Sequence, residues 1–279
     1  MRRRVREVLR RKLGAAMQEY VTDPLLARMT ADLEATRRAL HEQRRAVEEA
    51  KDELARAMHA WERRQRRDLL TVGDVEAARS SAAFCRARLD RATAYFAKHD
   101  LLAAALDAAT IDGVFLEFGV ATGGTLRQIT AHAPEASCYG FDSFDGLPEH
   151  WRMGFGAGAF ATEGLPDVPG AEFVVGWFDQ TLPGFLDREP RDVAFLHLDA
   201  DLYSSTVTVL AALVGRLRPG TVVVFDEYFN YPGWEDHEHK AWEEFVARHD
   251  VEFEYLGFTA DDEQVSVRIL SVGTPVGPA

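Results

Sequence analysis

The sequence contains little cysteine. Cys85 and Cys138 are the only two among 279 residues, and neither stands in the C-x-x-C or Cys/His spacing of a metal site. A single pair cannot build a disulfide framework, so we expect a reducing compartment and predict a cytoplasmic protein. The arginines at positions 2–4 are followed by further charge instead of an apolar core, which argues against a secretion signal.

Long apolar runs are also absent. No stretch reaches the roughly 20 consecutive apolar residues of a membrane-spanning helix, so we expect no membrane span. Hydrophobic residues make up 47% and charged residues 28%, which is typical of soluble globular proteins. A length of 279 residues suits one well-buried α/β domain with an appendage, whereas two complete catalytic domains would be crowded.

Charge is divided unevenly along the chain. Residues 1–100 hold 23 lysines and arginines against 16 acids, a net +7, and the other 179 residues hold 9 against 29, a net −20. Because the basic residues of the first part are interleaved with acids, a solvated helix face is favoured over a nucleic-acid or membrane surface. The acidic remainder argues against nucleic acid as a substrate or partner.

Glycine and proline are missing between residues 32 and 68, where strong helix formers dominate, and we predict one long helix there. It belongs to an N-terminal helical region, residues 1–109, with a second helical stretch over Val75–Ala109. Apolar residues recur every seventh position of the long helix, at Leu33, Leu40, Val47, Leu54 and Trp61. Their partner positions are small or polar, so this seam is narrower than that of a regular coiled coil. Two interpretations stay open, association of copies through this helix and packing of the helix onto the rest of the chain.

From residue 110 onward, short apolar runs alternate with helical segments such as 125–132 and 205–217. The runs are apolar almost throughout, as parallel strands covered on both faces require. They are Val114–Phe118, Ser137–Phe141, Glu172–Val175, Ala194–Leu198 and Thr221–Phe225. This alternation predicts an α/β fold with a doubly wound, Rossmann-like sheet over residues 110–272. Later runs at 253–256 and 265–270 predict a terminal antiparallel hairpin, followed by an irregular tail at 273–279.

Ligands of such sheets bind beyond the carboxyl ends of the strands. The first predicted strand ends in a glycine-rich turn, Glu117-Phe118-Gly119-Val120-Ala121-Thr122-Gly123-Gly124. Glycines permit a ligand to lie close to the backbone. Their spacing is not the G-x-G-x-x-G of dinucleotide sites, and no Gly-Lys-Ser/Thr of a P-loop follows, which argues against NAD, FAD and a phosphate-binding loop.

The next two strands end in groups that suit a nucleoside. Asp142 ends the second strand, 23 residues beyond Gly119, where a carboxylate can accept hydrogen bonds from both ribose hydroxyls. Trp177 and Phe178 follow the third strand and offer aromatic faces for an adenine ring. A turn-capping aspartate and ordinary core aromatics are the alternatives for these residues.

Acidic residues follow the fourth and fifth strands. Asp199 comes directly after one buried strand, and Asp226 and Glu227 follow the next. Such a cluster repels itself unless a proton or a cation lies within it, and hard divalent ions prefer oxygen ligands. The sequence therefore predicts a metal site of Asp199, Asp226 and Glu227, with helix-capping and turn acids as the alternative.

A resemblance to a known family rests on Glu117-Phe118-Gly119-Val120 with Gly123-Gly124, Asp142-Ser143-Phe144, the run 199–206 and Asp226-Glu227-Tyr228. Over about residues 112–270 the chain resembles the macrocin and mycinamicin type of sugar O-methyltransferase. Members of that family methylate hydroxyls of antibiotic sugars with S-adenosylmethionine and magnesium. The resemblance implies a class I methyltransferase in which Asp199 is both a metal ligand and the general base. From these motifs and from the strand ends together, the predicted cofactor-binding residues are Glu117, Phe118, Gly119, Ala121, Thr122, Gly123, Asp142, Ser143, Phe144, Trp177, Phe178 and Asp199.

The sequence is thus interpreted as an S-adenosylmethionine-dependent O-methyltransferase acting on a small molecule, a sugar or a glycosylated natural product, with help from a divalent metal. Two alternatives are a non-catalytic scaffold or assembly protein that uses the long helix, and an NAD-dependent oxidoreductase. The glycine-containing segment 151–160 is a candidate lid over the acceptor, with a plain exposed loop as its alternative. His237 and His239 are expected to be exposed to solvent.

Overall fold

The computed structural model describes residues 2–134 and 137–273. The chain forms two compact units, Met1–Asp68 and Leu69–Ala279. Of the predicted tail at 273–279, all but Gly273 lies outside the described residues. In the described part of the chain, no helix is long and apolar enough to cross a membrane.

The first unit is helical throughout. Helix α1 (Arg2–Met17) runs through a π-helical turn (Gln18–Thr22) into α2 (Asp23–Arg67). The predicted long helix is confirmed and begins nine residues earlier, because Pro24 lies in the first turn of α2, where a missing N–H costs nothing. All residues from 3 to 67 are exposed, including the seam residues.

The second unit begins with α3 (Leu69–Arg88), β1 (Thr93–Tyr95) and α4 (Lys98–Ala108). The prediction of one continuous helical stretch over Val75–Ala109 is therefore wrong. Strand β1 interrupts it, because Thr93–Tyr95 pairs in parallel with residues 257–259 of a strand far along the chain. That long-range pairing overrides the local helix preference.

The remaining strands and helices alternate in the predicted way. They are β2 (Val114–Phe118), α5 (Gly124–His132), β3 (Cys138–Asp142), β4 (Ala171–Val175), α6 (Phe178–Arg188), β5 (Val193–Leu198), α7 (Tyr203–Leu213), β6 (Val222–Phe225), α8 (Glu238–His249), β7 (Val251–Thr259) and β8 (Val265–Val272). The five predicted parallel strands agree with the structure to within one residue at each end. The terminal hairpin is also confirmed, because β7 and β8 pair antiparallel.

The eight strands form one sheet in the order β1-β7-β8-β6-β5-β2-β3-β4. Strands β2 to β6 are parallel, and β8 runs antiparallel to both its neighbours. The predicted fold class is confirmed. From β2 the chain winds outward through β3 and β4, then returns to place β5 on the other side of β2. A crevice for ligands is expected at that reversal.

Helices cover both faces of the sheet, and alternate strand residues supply the two cores. In β5, for example, Leu196 and Leu198 belong to the cluster that includes Val209 of α7 and Trp242 of α8. Phe195 belongs to the opposite cluster with residues of α4 and α5. This two-sided burial fixes the strand register and holds the carboxyl ends of β2, β3, β5 and β6 at one rim.

Candidate active site

A cavity of about 870 Å³ opens at the rim of the sheet. Loops that follow five consecutive parallel strands line it, together with the first residue of α4 and the segment 146–160. Nine of the sequence-predicted site residues share this cavity: Gly119, Ala121, Asp142, Ser143, Trp177, Phe178, Asp199, Asp226 and Glu227. The sequence therefore identified residues that the tertiary structure brings together.

Five other predicted cofactor-binding residues do not line this cavity in the described structure: Glu117, Phe118, Thr122, Gly123 and Phe144. Phe118 is fully buried and stacks on Phe141 with 4.4 Å between ring centroids. Phe144 is buried against Phe173, and Thr122 is exposed. Their side chains support or flank the site instead of facing it.

The turn after β2 is held tightly against the loop after β5. Gly119 has φ +91°, and a Cβ atom at this position would lie 1.8 Å from the carbonyl oxygen of Asp199. No other residue fits there, since any side chain would clash and the backbone conformation disfavours L-residues. This close approach places the glycine turn beside the carboxylates that follow β5.

Asp142 joins the ends of β2 and β3. Its Oδ2 accepts hydrogen bonds of 2.8 Å from the N–H groups of Val120 and Ala121, and its Oδ1 accepts one of 2.7 Å from Phe144 N–H. These bonds use both lone-pair sites of Oδ2 and one of Oδ1, so Oδ1 keeps one acceptor site. Asp142 therefore orders the glycine turn while still lining the cavity.

Three carboxylates meet at the ends of β5 and β6. Asp199, Asp226 and Glu227 each offer an oxygen, and these oxygens lie within 4.8 Å of one another. Burial, followed by the charge of Asp226, raises the pKa of Asp199 well above its ordinary value. Burial, followed by the charge of Asp199, raises the pKa of Glu227 in the same way. Both shifts express the cost of placing like charges together out of water.

Asp226 differs from its two neighbours because it faces two cations. Lys98 Nζ lies 3.4 Å from Asp226 Oδ2, and His197 Nε2 lies 3.7 Å from Oδ1. Burial would raise the pKa of Asp226, but His197 and Lys98 outweigh it and lower that pKa to about 2. Asp226 is therefore ionised at neutral pH.

His197 is a site residue that the sequence reasoning missed. It is fully buried on β5, and its Nδ1 lies 3.1 Å from Oε1 of the equally buried Glu117. Burial by itself would lower the pKa of His197. The contacts with Asp226 and Glu117 outweigh burial and raise that pKa to about 10. The signal was present in the sequence, since a histidine within a run of apolar strand residues requires a buried polar partner.

Glu238 and Lys98 were missed as well. Glu238 is buried on α8, where its carboxylate accepts hydrogen bonds from the N–H groups of Ala200 (3.5 Å) and Glu227 (3.2 Å). It thereby ties together the loops after β5 and β6. Only the fold brings Lys98 to Asp226, because 127 residues separate them in the chain.

The donor set fits a hard divalent cation. All three candidate ligands offer carboxylate oxygens, which magnesium and calcium prefer. The Oε2 atom of Glu227 is buried and has no hydrogen-bond partner among the described residues. A buried carboxylate oxygen without a partner costs free energy that a cation would recover.

The segment 146–160 folds over the cavity and is anchored by Trp151 and Arg152. Trp151 is buried, and the Arg152 guanidinium stacks on the rings of Trp151 and Tyr231 at 4.0 and 4.5 Å. Arg152 also forms an ion pair with Glu263 at 3.0 Å, which links the segment to the loop between β7 and β8. The segment is thus attached at its base. The opening of residues 151–160 as a lid stays a prediction.

The expectation that both His237 and His239 are exposed is wrong. Both are half-buried, and His239 packs edge-on against the rings of Phe84, Tyr228 and Trp234. Burial lowers the pKa of His239 to about 4. The first turn of α8 faces α3 and the loop after β6, which the spacing of two histidines does not reveal.

Comparisons with known proteins agree with this geometry. Residues 116–228 match a family model described as a methyltransferase domain. The chain is 33% identical over 144 residues to a tetracenomycin-C 4'-O-methyltransferase of Streptomyces olivaceus, covering 42% of this chain and 54% of the relative. The full name of that relative is 8-demethyl-8-(2,3-dimethoxy-alpha-L-rhamnosyl)-tetracenomycin-C 4'-O-methyltransferase. This chain is also 34% identical over 90 residues to the demethyldecarbamoylnovobiocin O-methyltransferase of Streptomyces niveus, covering 32% of this chain and 31% of that relative.

Among solved structures, the calicheamicin methyltransferase CalS11 is 25% identical with a TM-score of 0.50, over 61% of this chain and 77% of that chain. The matched part spans about half the length of the first curated relative and about a third of the second. The predicted enzyme class agrees with these comparisons. Residues 116–228 are similar to methyltransferase domains, and the sheet that contains them has the class I methyltransferase fold.

Proposed function

We propose that the protein is an S-adenosylmethionine-dependent O-methyltransferase that acts on a hydroxyl of a sugar or of a glycosylated natural product. One observation carries the proposal: a single cavity contains both the Asp142-ordered glycine turn and the carboxylate cluster. The first is suited to a nucleoside and the second to an acceptor hydroxyl. Both curated relatives carry O-methyltransferase names, and the first name contains a rhamnosyl group.

Asp142, Trp177 and Phe178 are the proposed contacts of the methyl donor. The Asp142 carboxylate would accept a hydrogen bond from a ribose hydroxyl through the remaining acceptor site on Oδ1, and the two aromatic side chains would flank the adenine. Phe178 packs edge-on against Phe118 at 5.2 Å, so its ring is held in place before a ligand arrives. Such preorganisation lowers the entropy lost when the donor binds.

Asp199, Asp226 and Glu227 are the proposed ligands of a magnesium ion. A bound divalent cation lowers the pKa of the acceptor hydroxyl and orients it. Asp199 accepts the hydroxyl proton as the new oxygen–carbon bond forms and the carbon–sulfur bond of the donor breaks, which leaves S-adenosylhomocysteine. General base catalysis of this kind contributes about 10²–10⁴-fold.

The aromatic lining of the cavity supports a carbohydrate acceptor. Trp151, Phe155 and Phe160 form a group of packed rings, with centroids 5.2 to 6.4 Å apart, and all three line the cavity. Ser204 and Ser205 line it as well and present hydroxyl groups. Aromatic faces suit the apolar faces of sugar rings, and hydroxyls suit their polar edges. More specifically, we propose an acceptor of the kind that the macrocin and mycinamicin type of sugar O-methyltransferase methylates, a hydroxyl of an antibiotic sugar.

Calorimetric titration tests the proposal. S-adenosylmethionine and NAD are titrated separately into the protein, with and without magnesium. We expect S-adenosylmethionine to bind and NAD not to bind. The affinity for S-adenosylmethionine should be at least tenfold weaker in Asp142→Ala. Transfer of a labelled methyl group is then measured over a panel of hydroxylated sugars and glycosides. Binding of NAD in its place would favour an oxidoreductase, and binding of neither would favour a scaffold protein.

A further inference from the structure

Helix α1 has a composition unlike the rest of the first unit. Residues 3–17 contain six basic side chains and a single acid, Glu7, which gives a net charge of +5. Further along, in α2, acids and bases alternate and pair, as Arg45 does with Glu49 and Lys51 with Glu48. The general balance of acids and bases in the first 100 residues conceals this local excess.

The charges and the apolar residues of α1 lie on opposite sides. Apart from Met17 in the last turn, the large apolar residues of α1 fall, at about 100° per residue, within an arc of about 140°. They are Val5, Val8, Leu9 and Leu13. Five arginines fall on the opposite arc: Arg3, Arg4, Arg6, Arg10 and Arg11. Among the cations of residues 3–17, only Lys12 shares the apolar arc.

The apolar arc is exposed to solvent along its whole length. Val5, Val8, Leu9 and Leu13 are 54%, 55%, 57% and 63% exposed. No residue from 3 to 67 is buried, so the first unit provides no cover of its own. An amphipathic helix gains stability from a surface that accepts its apolar face.

We infer that α1 binds the surface of an anionic lipid bilayer. A helix with an apolar arc opposite a basic arc lies in the plane of the interface, with its apolar side chains among the acyl chains and its cations at the anionic headgroups. The aliphatic stem of Lys12 would reach along the apolar arc and carry its ammonium group to the headgroups.

Charge complementarity favours an anionic bilayer over a second copy of the chain or a nucleic acid as the partner of α1. A second copy of α1 would bring two net charges of +5 together, which opposes close pairing. Nucleic acid would satisfy the arginines but would leave the apolar arc in water. An anionic bilayer matches both sides of the helix.

Co-sedimentation of the full chain with vesicles tests the inference. Vesicles of phosphatidylcholine are compared with vesicles containing about 30% phosphatidylglycerol in about 0.1 M salt, where exposed charges remain effective over about 10 Å. We expect at least tenfold tighter binding to the anionic vesicles. Arg4→Gln/Arg10→Gln/Arg11→Gln should weaken binding about a hundredfold, since each surface cation contributes about a factor of five. Leu9→Glu/Leu13→Glu should weaken it at least tenfold.

A matched variant on α2 controls for the loss of charge. Arg37→Gln/Arg38→Gln/Arg44→Gln removes the same three charges from the same unit and should bind as the unmodified protein does. Far-ultraviolet circular dichroism shows whether each variant keeps its helices. Equal binding to neutral and anionic vesicles, or an equal loss in the α2 variant, would overturn the inference. So would binding to duplex DNA that is tighter than binding to vesicles and survives Leu9→Glu/Leu13→Glu.

Discussion

At the scale of single residues, the site contains a chain of ionisable groups that runs from the buried Glu117 through His197 and Asp226 to the half-buried Lys98. Its links are 3.1, 3.7 and 3.4 Å long. Because a cation faces each oxygen of Asp226, this carboxylate is ionised while Asp199 and Glu227 have raised pKa values. The arrangement thus separates one acid that is ionised at neutral pH from two acids whose pKa values are raised.

Asp199→Asn tests the proposed general base. The amide keeps the size and shape of the carboxylate but accepts a proton poorly, so we expect kcat to fall by about 10²–10⁴-fold. The affinity for S-adenosylmethionine, measured by calorimetry, should change little, because the proposed ribose contact is Asp142. Unchanged turnover would contradict the role and direct attention to Asp201, which also lines the cavity and whose pKa burial raises to about 7.

Lys98→Met tests whether the lysine competes with a metal for Asp226. Removal of a positive charge 3.4 Å from a candidate ligand should raise the affinity for Mn²⁺ about tenfold, since like charges repel strongly at this distance. Lys98→Arg keeps the charge and should bind as the unmodified protein does. Titration followed by the electron paramagnetic resonance of free Mn²⁺ measures both. A lower affinity in Lys98→Met would instead show that the lysine orients Asp226 for the metal.

At the scale of elements, Glu189 fastens the end of α6 to β3 and to the start of β5. Its carboxylate accepts hydrogen bonds from Tyr139 (2.8 Å) and from the Arg191 guanidinium. Hydrogen bonding to Arg191 is the main cause that lowers the pKa of Glu189 to about 2. An acid whose pKa is lower in the folded state than in the unfolded state stabilises the protein at pH values above its unfolded-state pKa. That contribution is lost as the pH falls through the folded-state pKa.

Glu189→Gln should therefore change the acid sensitivity of the fold. We expect the unmodified protein to lose about 1 kcal/mol of stability from this group between about pH 4.5 and pH 2, after allowance for the exposure of Arg191. The variant should be less stable near pH 7 and should show a shallower decline below pH 4.5. Urea unfolding at a series of pH values measures this. Parallel curves for the two proteins would refute the linkage.

The apolar seam of α2 raises a separate question at this scale. Leu33, Leu40, Val47, Leu54 and Trp61 are 50% to 70% exposed, so association of copies through the seam stays a prediction. If copies associate there, Leu40→Glu/Leu54→Glu should lower the mass that light scattering reports to that of one chain. Arg38→Glu/Arg45→Glu, on the opposite side of α2, is the matched control. The same mass in all three proteins would assign the seam to another partner.

At the scale of the whole molecule, removal of metal separates the two halves of the proposed site. After chelation we expect methyl transfer to be lost, since the acceptor hydroxyl would lack its activating cation. Binding of S-adenosylmethionine should persist within about twofold, because the Asp142-ordered turn takes no part in the metal cluster. Addition of magnesium should restore transfer. Full activity in chelator would show that Lys98 and His197 supply all the positive charge that the reaction needs.

The sequence determined by itself the class of fold and the main members of the site. Continuous apolar strands such as Val114–Phe118 require cover on both faces, and residues that follow parallel strands meet at one rim whatever the details of packing. For this reason Asp142, Asp199 and Asp226 could be predicted from their positions after strands. The hairpin and the long helix followed from period and composition in the same way.

Only the tertiary structure decided what depends on contacts between distant segments. Strand β1 forms because residues 257–259 offer it a partner, and Lys98 reaches Asp226 because α4 packs beside β6. The partial burial of His239 and the anchoring of residues 146–160 through Arg152 and Glu263 have the same origin. Local patterns report periodicity and propensity, which act over a few residues. The free energy of burial and of ion pairing depends on neighbours that only the folded chain supplies.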